Sequence, residues 1–572
     1  MTTDSPHWDA ELHWDAEADF VCVGSGIGAL AGAITAHEYG LEPIILEKSS
    51  QVGGLTAYSY GEVWVAGNHL EEARGIDDSV DSGIRYVTWL GMGYADDELV
   101  RAYATNGPPV LRFFEEKAGV RWRIISGFSD YYWPKNTEAR REGRFLEVEP
   151  FPAATLGEWQ DKVRTSPHTP AGLTHDEMFG QGGAANMSNW DFSVMGARLE
   201  NDERCLGSGF AATFVKAALD RRIPIHVDTA VEELITEGGR VVGVRARHDG
   251  RDLFVRARRG VLVATSSYEW NPELTQTLDR RQPEFVSAIP PSITGDHIGF
   301  AGRIGAKLVH VPQRCNMGFH IPGEEHDGEP LWRIALTETG LPHAIVVNSR
   351  GRRFADEAFY PAVGSAVEIV DGSDQSRPNL PCWVILDSQY GEKYPFGTVL
   401  PGQELPEGLA VRADDLHELA RQTGIDADNL VAEVDRFNTY ARSGTDPDFQ
   451  RGERPWSHFM CGDVNHAPNP NLGTIERGPF YAVRLRMVGA GLPATGLAAD
   501  VDGRVLGHDD EPIDGLYVAG NSMALRDVGA GYQSGIANGR GLIFGYLAGR
   551  HAAGDPSCER ERAGLETAST GV

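Results

Sequence analysis

The sequence predicts an α/β fold in which a βαβ unit near the N-terminus belongs to a core that a separate α+β region interrupts. A short apolar run, Phe20–Val23, precedes a glycine-rich turn and an alanine-rich segment. Strand and helix patterns return near the other end of the chain, at Gly515–Gly520. Between about residues 272 and 485 that alternation is absent. An interrupted pattern of this kind is typical of one domain inserted into another.

Composition and charge limit the classes of function that this chain can have. The chain has 572 residues, enough for two or three domains, and 52 basic against 82 acidic residues give a net charge of −30. Such a charge repels nucleic acids and anionic lipid headgroups, so we expect no nucleic-acid partner. Six cysteines without a Cys-x-x-Cys pair indicate a reduced, cytoplasmic protein. The acidic start holds no signal peptide, and no apolar run is long enough to cross a membrane; a peripheral membrane contact stays open.

The N-terminal segment reads as a complete βαβ unit. Phe20–Val23 is a continuous apolar run, as expected of a buried parallel strand. Leu30–Tyr39 is predicted to be a helix that ends at Gly40. Pro43–Leu46 is the second strand. The three elements fit within about 30 residues, which is the length of a βαβ unit.

The turn of this unit, Gly24–Ala29, has the pattern of a dinucleotide site. Gly24 permits the tight turn, and Gly26 lets a pyrophosphate approach the backbone. The small side chain of Ala29 lets the helix pack against the strand, and the free N–H groups at the helix start face the phosphates. Glu47 closes the second strand and is predicted to bind the adenosine ribose.

The dinucleotide is predicted to be FAD, bound tightly but not covalently. A second glycine pair, Gly53-Gly54, follows soon after Glu47, which suits an extended FAD better than NAD. Gly520-Asn521, after the C-terminal strand, is similar to the closing flavin segment of two-part FAD domains. The predicted cofactor-binding residues are Gly24, Gly26, Gly28, Ala29, Glu47, Lys48, Gly53, Gly54, Thr56, Val231, Ala264, Gly520, Asn521 and Ile536.

The predicted domain order is discontinuous. It comprises an N-terminal arm (1–18), a first part of the FAD-binding domain (19–271) with a loop-like insertion (155–205), a cap or catalytic domain (272–485), a second part of the FAD-binding domain (486–553) and a disordered tail (554–572). Neither the spaced pair His7 and His13 nor the group Cys315, His320 and His326 has the ligand pattern of a metal site, so no metal is expected.

These segments resemble the glutathione-reductase-like flavoprotein superfamily and, more narrowly, the fumarate reductase and 3-ketosteroid dehydrogenase family. Further matching segments are Gly207–Gly209, Val241–Val244, Val261–Thr265, Ser267–Asn271 and Gly351–Glu357. The resemblance runs from residue 19 to about residue 550. It implies a βαβ Rossmann core across which FAD lies and an α+β cap that closes over the isoalloxazine.

Two departures favour the ketosteroid dehydrogenase branch. Fumarate reductases hold a dicarboxylate with arginines and enter the last helix through an Arg-Leu-Gly-Gly-Asn pattern, where this chain has Tyr532–Ile536. Their flavin segment usually reads Gly-Glu, where this chain has Gly520-Asn521. Ketosteroid dehydrogenases of the Δ1 type usually show Tyr-Pro-Gly before the last helix, whereas Tyr-Gln-Ser resembles the Δ4 form. The position of the new double bond and the ring size therefore stay open.

The resemblance assigns roles to tyrosines. Tyr532 and the backbone N–H near Ile536 are expected to donate to a ketone oxygen. Tyr360 matches the family's base. Tyr131, in the stretch Gly127–Tyr131, matches the residue that assists the base, and Tyr132 could take that role instead.

The predicted activity is FAD-dependent α,β-desaturation of a cyclic ketone. Tyrosine removes an α proton, two aimed donors stabilise the enolate, and the flavin takes the hydride. The substrate is expected to be a 3-ketosteroid or, with the same chemistry, a monocyclic ketone such as cyclohexanone. Two competing hypotheses are a flavin fumarate reductase and a non-enzymatic flavin sensor. No motif identifies the electron acceptor.

Overall fold

The computed structural model describes residues 13–169, 172–279 and 284–558. The strands in these ranges are β1 Ala16–Val23, β2 Pro43–Leu46, β3 Val63–Trp64, β4 Trp122–Ile124, β5 Phe145–Val148, β6 Phe151–Pro152, β7 Glu203–Arg204, β8 Ile225–His226, β9 Thr229–Glu237, β10 Arg240–His248, β11 Arg251–Val263, β12 Val286–Ser287, β13 Leu308–His310, β14 Asn316–His326, β15 Glu329–Ile334, β16 Ala344–Asn348, β17 Cys382–Asp387, β18 Val411–Ala413, β19 Phe480–Gly489, β20 Thr495–Leu497, β21 Arg504–Leu506 and β22 Pro512–Val518.

The helices of the same ranges are α1 Ile27–Glu38, α2 Gly54–Tyr58, α3 His69–Arg74, α4 Val80–Leu90, α5 Asp97–Ala118, α6 His175–Gly180, α7 Phe192–Glu200, α8 Leu206–Asp220, α9 Pro272–Leu278, α10 Asp296–Arg303, α11 Tyr360–Val367, α12 Ser388–Lys393, α13 Leu416–Thr423, α14 Ala427–Ser443, α15 Pro455–Cys461 and α16 Ile536–Ala552. The α/β fold class and the βαβ unit predicted from the sequence are confirmed.

The first sheet joins the two ends of the chain. Its strand order is β21-β22-β11-β1-β2-β8, and β9 and β10 extend it as an antiparallel meander from β11. Strands β2, β1, β11 and β22 are parallel, with Val21 opposite both Ile44 and Val261. Their buried apolar residues explain why each strand reads as a continuous hydrophobic run.

A glycine-lined contact between α1 and α16 covers one face of this sheet. A β-carbon on Gly545 would lie 2.4 Å from the carbonyl oxygen of Gly28, and one on Gly549 would lie 2.7 Å from that of Gly32. The two helix backbones therefore approach more closely than any larger side chain permits. This contact fixes the C-terminal helix beside the N-terminal turn.

The second sheet forms the core of the predicted cap region. Its order is β15-β14-β19-β17-β16, with β12 and β18 also paired to β19. Alternate residues face opposite sides: Val346 and Val384 enter one apolar cluster, whereas Ile345 and Ile385 enter another that contains α13 and α14. Strand β19 continues to Gly489, so the predicted boundary at residue 485 falls inside a strand. The domain boundaries stay predictions.

Two details differ from the expectations. Strand β1 begins at Ala16, four residues before the predicted strand start at Phe20, because Ala16–Ala18 pair with β11. The insertion at 155–205 is not a plain loop, since it contains α6 and α7, which are too short to show a helical period in the sequence. Residues 1–12 of the arm and 559–572 of the tail lie outside the described residues. Within the described ranges, no helix combines the length and the apolar character needed to cross a membrane.

The α1–α16 contact predicts that Gly545 cannot carry a branched side chain. Gly545→Val should lower the free energy of unfolding by about 3 kcal/mol, because overpacking forces the helices apart. It should also reduce the cofactor content of the purified protein. The measurement is the melting temperature together with the visible absorbance.

Gly302 provides the matched control for this variant. It is an exposed helical glycine in α10 whose β-carbon would meet nothing within 4 Å. Gly302→Ala should leave stability unchanged or raise it by up to about 1 kcal/mol through helix propensity. A Gly545→Val protein that melts at the wild-type temperature would contradict the close packing.

Candidate active site

The turn between β1 and α1 forms an open cradle in front of a helix N-terminus. Gly24 has φ +100°, and a β-carbon there would lie 2.5 Å from the carbonyl oxygen of Ala264. At Gly26 the nearest atom to a β-carbon would be Thr56 Oγ1, at 3.6 Å. A side chain at Gly26 would therefore fit the protein but fill the space before α1. That space suits a phosphate, which the helix N-terminus attracts.

Glu47 is held at the end of β2 by local donors. Ser25 Oγ donates to Glu47 Oε2 at 2.6 Å, and the Ser49 N–H donates to Oε1 at 2.7 Å. Burial raises the pKa of Glu47, and these two hydrogen bonds oppose that rise. The Gly53 N–H donates to Ser25 Oγ at 3.1 Å, so both glycine segments meet at this carboxylate.

One continuous cavity of about 650 Å³ extends from this turn to the predicted catalytic tyrosines. The predicted cofactor-binding residues that line it are Gly24, Gly26, Gly28, Glu47, Lys48, Gly54, Thr56, Val231, Ala264, Gly520 and Asn521. Ala29, Gly53 and Ile536 lie behind the lining. Ala29 is fully buried, and a β-carbon on Gly53 would contact Ala211, so these two support the wall of the cavity.

The C-terminal segment completes the cofactor end of the cavity. Asn521 donates through Nδ2 to the Gly491 carbonyl at 2.7 Å. Lys48, on the other side, donates to Thr294 Oγ1 at 2.6 Å and pairs with Asp296 at 2.7 Å. Residues from three distant parts of the sequence thus meet around one elongated space.

Tyr131 and Tyr360 face each other at the other end of the cavity. Their hydroxyl oxygens lie 2.9 Å apart. Tyr360 is the first residue of α11, and Tyr131 packs against Trp456 with ring centroids 4.6 Å apart. Tyr132 instead contacts Trp89 and Phe359 and is not part of the cavity lining. The geometry therefore brings Tyr131, and not Tyr132, to the predicted base.

Tyr532 lines the third side of this end, four residues before α16. Its ring centroid lies 6.5 Å from that of Tyr131. The N–H of Ile536, the predicted second donor, is engaged at 3.3 Å by the Gln533 carbonyl. That hydrogen bond is long, and the N–H sits at the first turn of the helix.

Burial is the main influence on the pKa values of the three tyrosines. Burial raises the pKa of Tyr131, Tyr360 and Tyr532 above the ordinary value of 10. For Tyr360, the neighbouring Tyr532 raises the pKa further, and the hydrogen bond to Tyr131 opposes the rise. Tyr360 and Tyr532 are half-buried and line the cavity. All three hydroxyls are thus held protonated in the resting protein.

Ser534 and Glu62 are two polar residues near Tyr532 that were not predicted from the sequence. Ser534 donates a hydrogen bond to Glu62, and Glu62 lies 3.0 Å from His175. The sequence showed that Gln533 and Ser534 replace the Pro and Gly of the Tyr-Pro-Gly pattern, but it did not show which side chains these two residues contact. The described residues hold no group of three or more His, Cys, Asp or Glu side chains arranged for a metal ion.

The cradle at Gly26, the carboxylate of Glu47 and the elongated cavity together fit a flavin dinucleotide. Residues 19–539 match the model of a protein family described as FAD binding domain. The chain belongs to this FAD-binding family. FAD is its cofactor, and the predicted resemblance is confirmed.

Within this family, the chain is similar to several dehydrogenases. It is 34% identical to 4-oxocyclohexanecarboxylate 2-dehydrogenase of Sinomonas cyclohexanicum, over 94% of this chain and 93% of the relative. It is 32% identical to 3-oxosteroid 1-dehydrogenase of Mycolicibacterium smegmatis, over 95% and 99% of the two chains. Its fold matches the crystal structure of 3-ketosteroid Δ1-dehydrogenase from Sterolibacterium denitrificans with a TM-score of 0.86 and 32% identity, over 94% and 99%.

The open cradle predicts that Gly26→Leu folds but does not retain FAD. A β-carbon at this position meets Thr56 Oγ1 at 3.6 Å as its nearest atom, so the turn itself can accept a side chain that extends into the cavity. The leucine side chain fills the space that the pyrophosphate needs. The ratio of flavin to protein absorbance should fall to the background, while the circular dichroism spectrum stays that of the wild type.

Gly302→Leu is the control, because that position is exposed and is not part of the cavity lining. It should purify with full flavin content. Full yellow colour in the Gly26→Leu protein would rule out phosphate binding at this turn.

Proposed function

We propose that this FAD-binding protein is a dehydrogenase that introduces a carbon–carbon double bond beside the carbonyl of a cyclic ketone. The observation that carries the proposal is the 2.9 Å hydroxyl contact of Tyr131 and Tyr360 inside the cavity that also holds the cofactor residues. The names of the relatives, which are dehydrogenases of cyclic ketones, support it.

Tyr360 is proposed as the base that removes the α proton. A phenol needs help for this task because its ordinary pKa is near 10 and burial raises it. The reactive form of Tyr360 is its phenolate, which is reached when the hydroxyl proton is lost to solvent before the α proton is taken up. The Tyr131 hydroxyl lies within hydrogen-bond distance and can donate to that phenolate, which stabilises its charge in a buried site.

Tyr532 and the start of α16 are proposed to bind the carbonyl oxygen. Loss of the α proton places negative charge on that oxygen, and a donor aimed at it is worth a few kcal/mol. The Tyr532 hydroxyl stays protonated because burial raises its pKa, so it remains a donor throughout the reaction. The Ile536 N–H, at the first turn of the helix, is proposed as the second donor, and it would have to exchange its 3.3 Å hydrogen bond to the Gln533 carbonyl for one to the ketone oxygen.

FAD, when bound, accepts the hydride that leaves the β carbon. The protein's own residues then need to orient the ketone, hold the α proton and keep water out. The cavity wall has apolar side chains that suit an apolar ring system, namely Met178, Phe179, Met187, Trp190 and Met460.

Fumarate reduction is disfavoured by the charges of the cavity. Among the described residues that line it, the Lys and Arg side chains are Lys48, Arg314 and Arg333. Lys48 pairs with Asp296 and Arg333 pairs with Glu324, at 2.7 Å each. A dicarboxylate needs several converging arginines, and Tyr532 occupies the place of one of them.

Two classes of cyclic ketone, which differ in ring size, are candidate substrates. A 3-ketosteroid follows from the solved relative, and a monocyclic oxo-acid follows from the name of the Sinomonas relative. The test is anaerobic mixing of the flavin-loaded protein with 5α-androstane-3,17-dione, 4-oxocyclohexanecarboxylate and cyclohexanone. At least one ketone should bleach the visible flavin absorbance and yield its α,β-unsaturated product. If none does while fumarate reoxidises the reduced protein, the proposal is wrong.

Tyr532→Phe should slow flavin bleaching by roughly 10²–10³ and weaken ketone binding by about tenfold or less. The hydrogen bond is stronger to the enolate-like transition state than to the bound ketone, so the rate suffers more than the affinity. Stopped-flow bleaching against ketone concentration separates the two. Near-normal bleaching would mean that Tyr532 only packs.

The raised pKa of Tyr360 predicts a distinct pH profile. Below the pKa, the deprotonated fraction of a phenol rises about tenfold per pH unit, so the bleaching rate should rise from pH 7 to pH 9.5 without a plateau. Tyr360→Phe should be slower by about two orders of magnitude, with the rise abolished. A wild-type plateau below pH 8 would assign the base to another group.

A further inference from the structure

Gln533 is the middle residue of the Tyr-Gln-Ser segment, between Tyr532 and Ser534, and its side chain has no accessible surface. It occupies the position at which the Δ1 pattern has proline. Its side chain points away from the cavity lining and into the protein, between α4 and the stretch 127–133 that carries Tyr131. A fully buried amide in such a place needs partners for its oxygen and its nitrogen.

The amide of Gln533 meets three groups. The Tyr86 hydroxyl donates to its Oε1 at 2.7 Å, and the backbone N–H of Tyr131 donates to the same oxygen at 3.2 Å. Its Nε2 donates to Asp130 Oδ1 at 3.3 Å. Two of these partners are consecutive residues, so Gln533 clamps the backbone that leads into Tyr131.

Asp130 is itself held rigidly. Trp64 Nε1 donates to its Oδ1 at 2.8 Å, and the guanidinium of Arg144 donates to its Oδ2 at 2.9 Å. Arg144 also makes a bidentate pair with Asp78, at 2.7 Å for each contact. Asp130 and Arg144 are each 1% exposed, so solvent barely weakens these charged contacts.

We propose that Gln533 is a positioning residue that sets the distance between the base pair Tyr131–Tyr360 and the oxygen donor Tyr532. The inference rests on the proposed function of those tyrosines. Gln533 follows Tyr532 directly in the chain and holds the backbone of Tyr131 by a hydrogen bond. One side chain therefore couples the group that binds the ketone oxygen to the group that receives the α proton.

The coupling matters because a desaturation needs two sites at a fixed separation. The carbonyl oxygen and the α hydrogen belong to neighbouring carbons, so a shift of Tyr131 relative to Tyr532 misplaces one of them. A displacement of about 1 Å can lower a rate by about 10²-fold. Substrate affinity depends on the whole cavity wall and changes much less.

The test is Gln533→Met, which keeps the length of the side chain and removes its polar atoms. With the ketone that bleaches the wild type, the variant should bleach about 10- to 100-fold slower, while the ketone dissociation constant changes by less than about threefold. The deuterium isotope effect of an α-labelled ketone should increase, because proton removal becomes more limiting. A purely structural role does not raise this isotope effect.

Hydrogen–deuterium exchange provides a readout that needs no turnover. The Tyr131 amide, which donates to Gln533 in the wild type, should exchange faster in Gln533→Met. Tyr86→Phe is the matched control, because it removes the other donor to the same oxygen and leaves the Tyr131 contact. It should bleach within about threefold of the wild type and exchange the Tyr131 amide at the wild-type rate.

The outcomes separate this inference from the proposed function. If no ketone bleaches the wild type, the proposed function fails, and the exchange measurement still tests the contact. If Gln533→Met bleaches at the wild-type rate with an unchanged isotope effect, the positioning role is wrong. Should Gln533→Met not fold, Gln533→Asn replaces it, since the shorter amide cannot reach all three partners. A loss of less than about twofold in a folded Gln533→Asn protein would overturn the inference.

Discussion

The close contact of α1 with α16 is the constraint on which the rest of the site depends. Gly28 and Gly32 on the first helix meet Gly545 and Gly549 on the last, with backbone against backbone. This contact carries the C-terminal end of the chain to the N-terminal turn. Because Tyr532 stands just before α16, the same contact places the proposed donor to the ketone oxygen at one end of a cavity whose other end is the open turn at Gly26.

The chemistry of the site follows from its burial. The tyrosine end of the cavity brings together phenols and apolar walls, with Glu62 and His175 as the nearby titratable pair. In such surroundings a charged base is costly, so Tyr360 rests as a neutral phenol and its minor phenolate form is the proposed base. A hydrogen-bonded pair of phenols then shares the charge that one phenol cannot bear alone. In the proposed mechanism, this pair of phenols is the means by which the ketone loses its α proton.

The local parts of this design were predictable from the sequence, and the long-range parts were not. The turn at Gly24 and the carboxylate of Glu47 lie within one βαβ unit, so their spacing alone predicted a dinucleotide site. The choice between Tyr131 and Tyr132 depends on how Asp130 anchors the loop, which spacing does not reveal. The partner of Ser534 is Glu62, more than 400 residues away, so only the folded chain brings them together.

The same reasoning explains why the predictions for the insertion and for the start of the first strand were wrong. Short elements such as α6 show too few turns for a periodic pattern, so the insertion read as a loop. The first strand starts at Ala16 because β11 is long enough to pair with it, which is a property of the partner strand and not of the segment itself. The domain boundaries remain predictions for a related reason, since β19 crosses one of them.

The account's central claim, that these tyrosines desaturate a cyclic ketone, is tested most directly by isotopic labelling in a single anaerobic turnover. The flavin-loaded protein is mixed with a ketone deuterated at the α carbon and, separately, at the β carbon. Each label should slow the bleaching, and the product should lack one hydrogen from each carbon, because the reaction breaks both bonds. Bleaching that neither label slows, or a product that keeps all its hydrogens, would contradict the account.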